Sequence, residues 1–305
     1  MPLHIATPLI ESRPLSLAAG RPVWLKLEAL QPCGSFKLRG VGHACETHHA
    51  RGARHFVSSS GGNAGLAVAY AGRKLGVPVT VVVPETTTER AKALLRLEDA
   101  TVVVQGGSWQ EANAHAQTLL GPGDAFIHPF DDPLLWQGHA SMIDEVAAAG
   151  FKPDAVVLSV GGGGLLCGVV EGLERNGWQD VPVLAVETAG AASLHAAIAA
   201  GHTVELPAIT SVATSLGAKR VAEQAMTYAL THPLHSHLVT DREALEACER
   251  LLFDHRLLVE PACGAALALL NHPEALPAQG NVLVIVCGGA TATLEQIRTW
   301  LDQAS

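Results

Sequence analysis

The sequence predicts an α/β protein with mostly parallel sheets flanked by helices. Three observations carry this. Apolar runs without polar alternation recur along the chain, as expected for parallel strands covered on both faces. Amphipathic helical segments fall between them. Glycine is abundant, at 30 of 305 residues, and tends to stand where a segment should stop.

Val77–Val83 reads as a buried strand, rich in β-branched residues and bounded by Gly76 and Pro84. Thr101–Val104, Ala155–Val160, Pro182–Glu187 and Asn281–Cys287 read the same way. Asn63–Leu75 follows a Ser/Gly loop, stops at Gly76 and reads as a helix. Ser108 and Glu111 form a capping box before a helix ending near Gly121; Thr240 and Glu243 form another before a segment ending near Arg256. His139–Ala149 is a further helix, stopped by Gly150. There is no internal repeat or low-complexity linker, so any division into domains passes through short connections.

Composition narrows the function. Apolar residues make up 48% and charged residues 16%, which is ample for a core and too little polarity for a disordered chain. A net charge of −9 excludes the electrostatic footprint of a general nucleic-acid binder. No run of four Lys/Arg points to an anionic membrane surface. The start, MPLHIATPLIESRP, lacks a basic segment followed by an apolar one, so no signal peptide is expected. The stretch from Ala155 to Val170 is uncharged, but its central glycines suit a strand, loop and helix start better than a membrane span. None of the six cysteines has C-x-x-C spacing; they read as reduced thiols in a cytoplasmic protein.

Four motifs could carry chemistry. The first is Gly161, Gly162, Gly163 and Gly164, between a buried strand and an amphipathic helix. Four consecutive glycines should arise by chance only about 0.03 times in such a chain. Glycine lets successive N–H groups turn inward, and the helix N-terminus behind them favours an anion, most naturally a phosphate. It is neither G-x-G-x-x-G nor a Walker loop, and a tight strand–helix turn is the plain alternative. The second is SSSGGNAG, Ser58–Gly65, whose hydroxyls, amides and Asn63 suit a carboxylate or phenolic oxygen. It would equally serve as an ordinary helix start.

The third is Lys37, one of six lysines, flanked by Phe36 and Leu38. Burial would favour its neutral amine, a nucleophile and base, although a lysine beside a phenylalanine often only snorkels. The fourth is Cys287, at the end of an apolar run before Gly288-Gly289. Strand ends of this kind place ligands in α/β sheets, yet a cysteine there is commonly a small core residue.

Together these motifs resemble the pyridoxal-phosphate-dependent L-serine dehydratase/L-threonine deaminase family, in its short liver-type and serine dehydratase-like branch. The resemblance runs in order through TPL, WLKLEALQPCGSFKLRG, HFVSSSGGNAG, GVPVTVVVPETT, HPFDDPLLWQGHAS, LSVGGGGLLCGVVEGL, VLAVETAGAAS, SVATSLGAK, LVEPACGAALAL and LVIVCGGA. It implies the two-domain tryptophan-synthase-β-like architecture of fold type II. A large domain would comprise 1–39 and 139–305, with a small domain, 40–138, inserted. It also implies a homodimer.

The resemblance assigns roles residue by residue. Lys37 matches the lysine that holds the cofactor covalently, and Phe36 the aromatic against its ring. Asn63 matches the amide at the 3′-oxygen. Ser60, Gly61, Asn63 and Ala64 match the loop around the substrate carboxylate. Gly161 to Gly164, with Leu165, match the phosphate cradle. Cys287 matches the residue facing the pyridine nitrogen. Glu187, Ala191, Ser193, Leu216 and Ala218 match a monovalent-cation site for K⁺ or Na⁺.

The implied reaction is β-elimination from L-serine and/or L-threonine to pyruvate or 2-oxobutyrate plus ammonia. A thiol such as Cys287 would not keep the pyridine nitrogen protonated as a carboxylate does, which favours elimination over transamination. β-Replacement, as in cysteine synthases, threonine synthase chemistry, or a non-catalytic phosphate-ligand-binding module are the competing readings. Gly61 stands where liver-type enzymes carry alanine and serine racemases carry an acid/base serine. That implies little racemase activity and a wider pocket.

Other clusters read plainly. His232, His235 and His237 lack an interleaved carboxylate or thiol and are expected in an exposed loop. His48-His49 reads as a solvated helix face, and Asp131-Asp132 as a cap for the helix after Pro133. Glu260, before Pro261, is expected near a helix N-terminus close to the site. No nucleophile elbow supports hydrolase chemistry.

Overall fold

The structure, a computed structural model, describes residues 1–304. In chain order the first half runs β1 (Leu9–Glu11), α1 (Arg13–Ala19), β2 (Val23–Lys26), α2 (Lys37–Ala50), β3 (His55–Ser58), α3 (Asn63–Leu75), β4 (Val79–Val83), α4 (Glu89–Leu97), β5 (Thr101–Val104), α5 (Trp109–Thr118) and β6 (Asp124–Phe126). The second half runs α6 (Pro133–Ala148), β7 (Ala155–Ser159), α7 (Gly164–Arg175), β8 (Val183–Thr188), α8 (Ser193–Ala200), α9 (Glu223–Thr231), β9 (Leu234–Val239), α10 (Asp241–His255), α11 (Pro261–Ala268), β10 (Val282–Ile285) and α12 (Leu294–Gln303).

Two sheets organise these elements. A six-stranded sheet has the order β1-β2-β10-β7-β8-β9, parallel except for β1, which runs antiparallel to β2. A four-stranded, fully parallel sheet has the order β5-β4-β3-β6. Every residue of β7, β8 and β10 is buried, as their unbroken apolar sequences require. Each sheet has its own main apolar core. In both, strand order reverses beside a strand whose C-terminal end carries one of the sequence motifs, the position where such sheets leave a ligand crevice.

Helices α2, α6 and α7 pack closely because glycines line the contacts. A Cβ on Gly138 would lie 2.4 Å from the Arg39 carbonyl oxygen, and one on Gly168 2.3 Å from the His139 Cβ. Under this packing, Arg39 and Glu28 are both fully buried and paired, Nε to Oε2 at 2.6 Å. Glu145 Oε1 accepts from Arg39 Nη1 at 2.7 Å, and Lys26 also bonds Glu145. This network ties β2 to the first turns of α2.

Both capping boxes form as the sequence predicts. Helix α6 begins at Pro133, earlier than the expected His139, because Asp132 Oδ1 accepts from Leu134 N at 2.8 Å and caps it there. His235 and His237 lie in β9 rather than in an exposed loop. His232 is buried, its Nε2 2.9 Å from the Val181 carbonyl oxygen. No cluster among the described residues has metal-ligand geometry. All six cysteines are free and buried. No described helix is long and apolar enough to cross a membrane.

Candidate active site

Lys37 opens α2, and the chain before it is strapped to the segment leaving β10. Phe36 N donates to the Cys287 carbonyl at 3.0 Å, and Gly289 N to the Gly34 carbonyl at 2.8 Å. Ser35 and Gly288 form an antiparallel bridge. Lys37 is thereby held beside the strand end that carries Cys287. Its Nζ donates to the Pro129 carbonyl at 2.6 Å and lies 5.1 Å from the centroid of the Phe36 ring. Burial pulls its pKa down from 10.5 to about 8, so the neutral amine is far more accessible near physiological pH than for an ordinary lysine. The Cys263 thiol alongside, together with burial, pushes the Cys287 thiol well up, so it is neutral and protonated.

The tetraglycine run turns from β7 into α7. Gly163 has φ +93°, a conformation that side chains resist. The Phe130 ring covers Gly162 so closely that a Cβ there would fall 2.3 Å from its Cγ. A Cβ on Gly161 would lie 3.0 Å from Leu216 Cα on the other side. The N–H groups of Gly161, Gly162 and Gly163 donate to no acceptor among the described residues. Followed by Leu165 at the start of α7, they make an anion cradle with unspent donors.

Asn63 begins α3 after β3 and reaches across to the six-stranded sheet. Its Nδ2 donates to Glu260 Oε2 at 2.9 Å, and its Oδ1 accepts from Ala290 N at 3.0 Å. Ser60 Oγ accepts from Gly62 N at 3.3 Å, and Ala64 is buried at the first turn. At Gly61 the expectation of a wider pocket is corrected. The space a Cβ would take is already filled, with Thr87 Cγ2 at 2.8 Å, Thr87 Oγ1 at 3.0 Å and Val83 Cγ1 at 3.2 Å.

Glu187 closes β8, fully buried. Its carboxylate accepts from Leu194 N at 2.9 Å and His195 N at 2.8 Å, at the start of α8. Burial raises its pKa to about 7 despite these bonds. Ser193 Oγ donates to the Gly161 carbonyl at 3.4 Å, and Leu216 adjoins Gly161. Ala191 lies in a short turn, Ala189–Ala191, just after Glu187, and the Ala218 amide donates to the Leu216 carbonyl at 2.8 Å.

Four residues near Lys37 were not assigned from the sequence. The loop His128-Pro129-Phe130 supplies the carbonyl that holds Lys37 and the ring over Gly162. His128 Nδ1 accepts from Asp131 N at 2.8 Å and Phe130 N at 3.2 Å. Burial, then the charge of Lys37, lowers the His128 pKa to about 4, so it stays neutral. His139 is fully buried behind Phe36, ring centroids 4.8 Å apart. The only sequence signal for these residues was the HPFDDPLLWQGHAS block, which assigns no roles.

A lysine with a lowered pKa, an anion cradle on a helix start, an amide and a neutral thiol converge between the ends of two mostly parallel sheets. This arrangement defines a pyridoxal-phosphate-dependent enzyme of fold type II. A family model described as pyridoxal-phosphate dependent enzyme matches residues 1–288, and the chain belongs to that family. It is 50% identical over 314 residues to the human L-serine dehydratase/L-threonine deaminase, covering 99% of this chain and 96% of that protein. It is 51% identical over 316 residues to the human serine dehydratase-like protein, with the same coverage. A solved fungal L-serine ammonia-lyase from Rhizomucor miehei superimposes with a TM-score of 0.94 at 36% identity, over 100% of both chains.

The residues present fit the cofactor. Unspent glycine amides suit its phosphate, a lysine with a lowered pKa suits its aldehyde, and Asn63 and Cys287 offer a polar edge to its ring.

Proposed function

We propose that this protein deaminates L-serine and/or L-threonine by β-elimination, yielding pyruvate or 2-oxobutyrate plus ammonia. The observation that carries the proposal is the Lys37 amine, with a pKa of about 8, held between Pro129 and Phe36 in a family described as pyridoxal-phosphate dependent. The 50% identity to relatives named for this reaction supports it.

Lys37, Phe36, Asn63, Gly161 to Gly164, Leu165 and Cys287 would hold pyridoxal phosphate. Bound there, the cofactor would supply an electron sink for the carbanion left at the substrate Cα. The chain supplies the rest. Ser60, Gly61, Asn63 and Ala64, at the N-terminus of α3, would receive the substrate carboxylate, which the helix end favours. Lys37 Nζ, neutral and free while substrate is held, would take the Cα proton. The same ammonium would return a proton to the departing β-hydroxyl, which leaves as water, and the enamine would be released as Lys37 resumes its place. The enamine tautomerises to an imine, and a water molecule hydrolyses this to the 2-oxo acid and ammonia. A neutral Cys287 thiol beside the bound cofactor would offer its ring no negative charge, which would disfavour the longer-lived carbanion that transamination needs.

Residues 1–39 and 139–305 would form a large domain and 40–138 a smaller one, with the site between them. A monovalent cation, K⁺ or Na⁺, would sit among Glu187, Ala191, Ser193, Leu216 and Ala218. A cytoplasmic homodimer completes the reading. The deciding experiment incubates the purified protein with L-serine, L-threonine and their D-enantiomers and assays the 2-oxo acid formed. Product from an L-substrate without added nucleophile supports elimination. Turnover only with sulfide would assign β-replacement. No turnover and no visible cofactor absorbance would leave a phosphate-ligand-binding module.

A further inference from the structure

Glu260 has a carboxylate with a relative exposure of 3% and no ion pair among the described residues. Burying an ionised carboxylate costs several kcal/mol unless other groups replace its water. Here neutral donors do so. Oε2 accepts from Asn63 Nδ2 at 2.9 Å and Ser215 Oγ at 2.6 Å, and Oε1 accepts from Thr291 N at 2.7 Å and from Thr291 Oγ1. Glu260 also precedes α11, whose N-terminus favours a negative charge.

These donors come from three separate stretches. Asn63 follows β3 of the four-stranded sheet, Ser215 lies in the turn Thr214–Leu216, and Thr291 follows β10. One carboxylate therefore joins three walls of the site. Gly289 leaves room for it, since a Cβ there would fall 2.3 Å from the Glu260 Cδ.

The bond to Asn63 has a directional consequence. The two ends of a side-chain amide are alike in shape, and only their partners decide which way it points. Ala290 N donates to Oδ1 at 3.0 Å, and Nδ2 donates to Glu260. An ionised carboxylate can only accept, so reversing the amide would set oxygen against oxygen. The second Nδ2–H retains only a 3.5 Å contact, to Ser215 Oγ. It is the donor Asn63 has left to offer.

We propose that Glu260 is a positioning residue that locks the Asn63 amide with its free N–H toward the cofactor's phenolic oxygen. The proposal rests on the cofactor assignment above. A donor held at that oxygen favours its ionised form. Without Glu260, Asn63 would offer donor or acceptor indifferently.

The test compares wild type, E260Q, E260D, N63A and the double variant N63A/E260Q. In the apoprotein, E260Q loses acceptor capacity, and the Ala290 and Thr291 amides should exchange hydrogen at least about 10-fold faster. In the holoenzymes, E260Q should shift the visible band in the direction N63A shifts it. It should also lower kcat/KM by about 10-fold. E260D, one methylene shorter but still only an acceptor, should recover part of both. The double variant should match N63A in spectrum and in kcat/KM, because Glu260 acts through Asn63. A wild-type band in E260Q would overturn the proposal, as would losses that multiply in the double variant. If E260Q does not fold, E260D decides: it should show a weaker shift of the same sign, and an unshifted band overturns the proposal. If wild type itself takes up no pyridoxal phosphate, the cofactor assignment has failed instead, and the absent wild-type band distinguishes that result.

Discussion

The amide of Gly40 donates to His139 Nδ1 at 3.1 Å, so an imidazole from α6 caps the first turn of the helix that begins at Lys37. The Phe36 carbonyl is left to accept from Arg39 N at 3.0 Å, tightening that turn. Since Nδ1 accepts, the ring proton sits on Nε2, which finds no partner. Burial, followed by the charges of Lys37 and Arg39, keeps the His139 pKa well below its usual value and preserves the neutral ring. The H139A substitution leaves the Gly40 amide unsatisfied and opens a cavity behind Phe36. It should cost about 3 kcal/mol and lower Tm by roughly 5 °C, measured by calorimetry of the apoprotein. An unchanged Tm would remove His139 from this role.

The lowered pKa of Lys37 sets the pH at which its amine can react. The folded value of about 8 lies below the ordinary 10.5, so the amine loses its proton as pH rises through about 8 rather than through 10.5. The rate at which apoprotein takes up pyridoxal phosphate should therefore climb between roughly pH 7 and 9 and then level off, followed by visible absorbance. The K37A variant should retain no cofactor after borohydride treatment and should lose at least about 1,000-fold in 2-oxo acid formation. Between about pH 8 and 10.5 the unfolded chain holds the extra proton, so this lysine makes the apoprotein more stable as pH rises through that window.

Gly61 and Thr87 act as a pair. A methyl added at Gly61 meets the Thr87 side chain at 2.8 Å, and a β-branched residue has little freedom to withdraw. Gly61→Ala alone should displace the loop at 85–88 and cost about 1–3 kcal/mol. Thr87→Ser removes the offending methyl and should recover much of that loss in the double variant, read as Tm and as kcat/KM for L-serine. Equal losses in single and double variants would show that Thr87 does not fill the space. Wild type, with no side chain at position 61 to act as an acid or base, should form far less D-serine than pyruvate from L-serine. Chiral chromatography of the products measures the ratio.

Glu187 gives the proposed cation a pH signature. Its folded pKa is about 7, above the ordinary 4.5, so folding holds a proton that the unfolded chain releases. Between about pH 4.5 and 7 this carboxyl makes the protein less stable as pH rises. A bound monovalent cation favours the ionised form and reverses that cost. K⁺ or Na⁺ at about 100 times its Kd should stabilise the protein by about 2.7 kcal/mol at pH 8, and by much less at pH 5. The E187Q variant should lose that salt-specific gain in Tm. If the gain persists in E187Q, the cation binds elsewhere.

The fold was legible where the local signal was strong. Strand Thr101–Val104 and helix Asn63–Leu75 match their expected limits, because an apolar run and a Gly76 stop leave little choice. Strands β2 and β3 were not singled out. Val23–Lys26 contains Trp24 and Lys26, and the Lys26 ammonium is neutralised only by Glu145, far along the chain. The start of α6 expected at His139 fell short, although the Asp131-Asp132 cap before Pro133 read from the sequence marks the start observed. Within the site, the glycine run stood out by composition, whereas Lys37 and Asn63 took their expected roles from the family resemblance, their local sequence fitting a surface lysine and an ordinary helix start equally well. His128, His139 and the spatial role of Glu260 did not, since each gains its meaning from a partner distant in sequence.

The strap between Gly34–Phe36 and Cys287–Gly289 has a mechanical corollary. The root of Lys37 is stitched to the six-stranded sheet, while Leu38, Val41 and Ala44 of the same helix pack into the core of the four-stranded one. The lysine thus stands at the seam, its foot on one block and its helix clasped by the other. Any shear between the blocks must flex the single turn that carries Lys37.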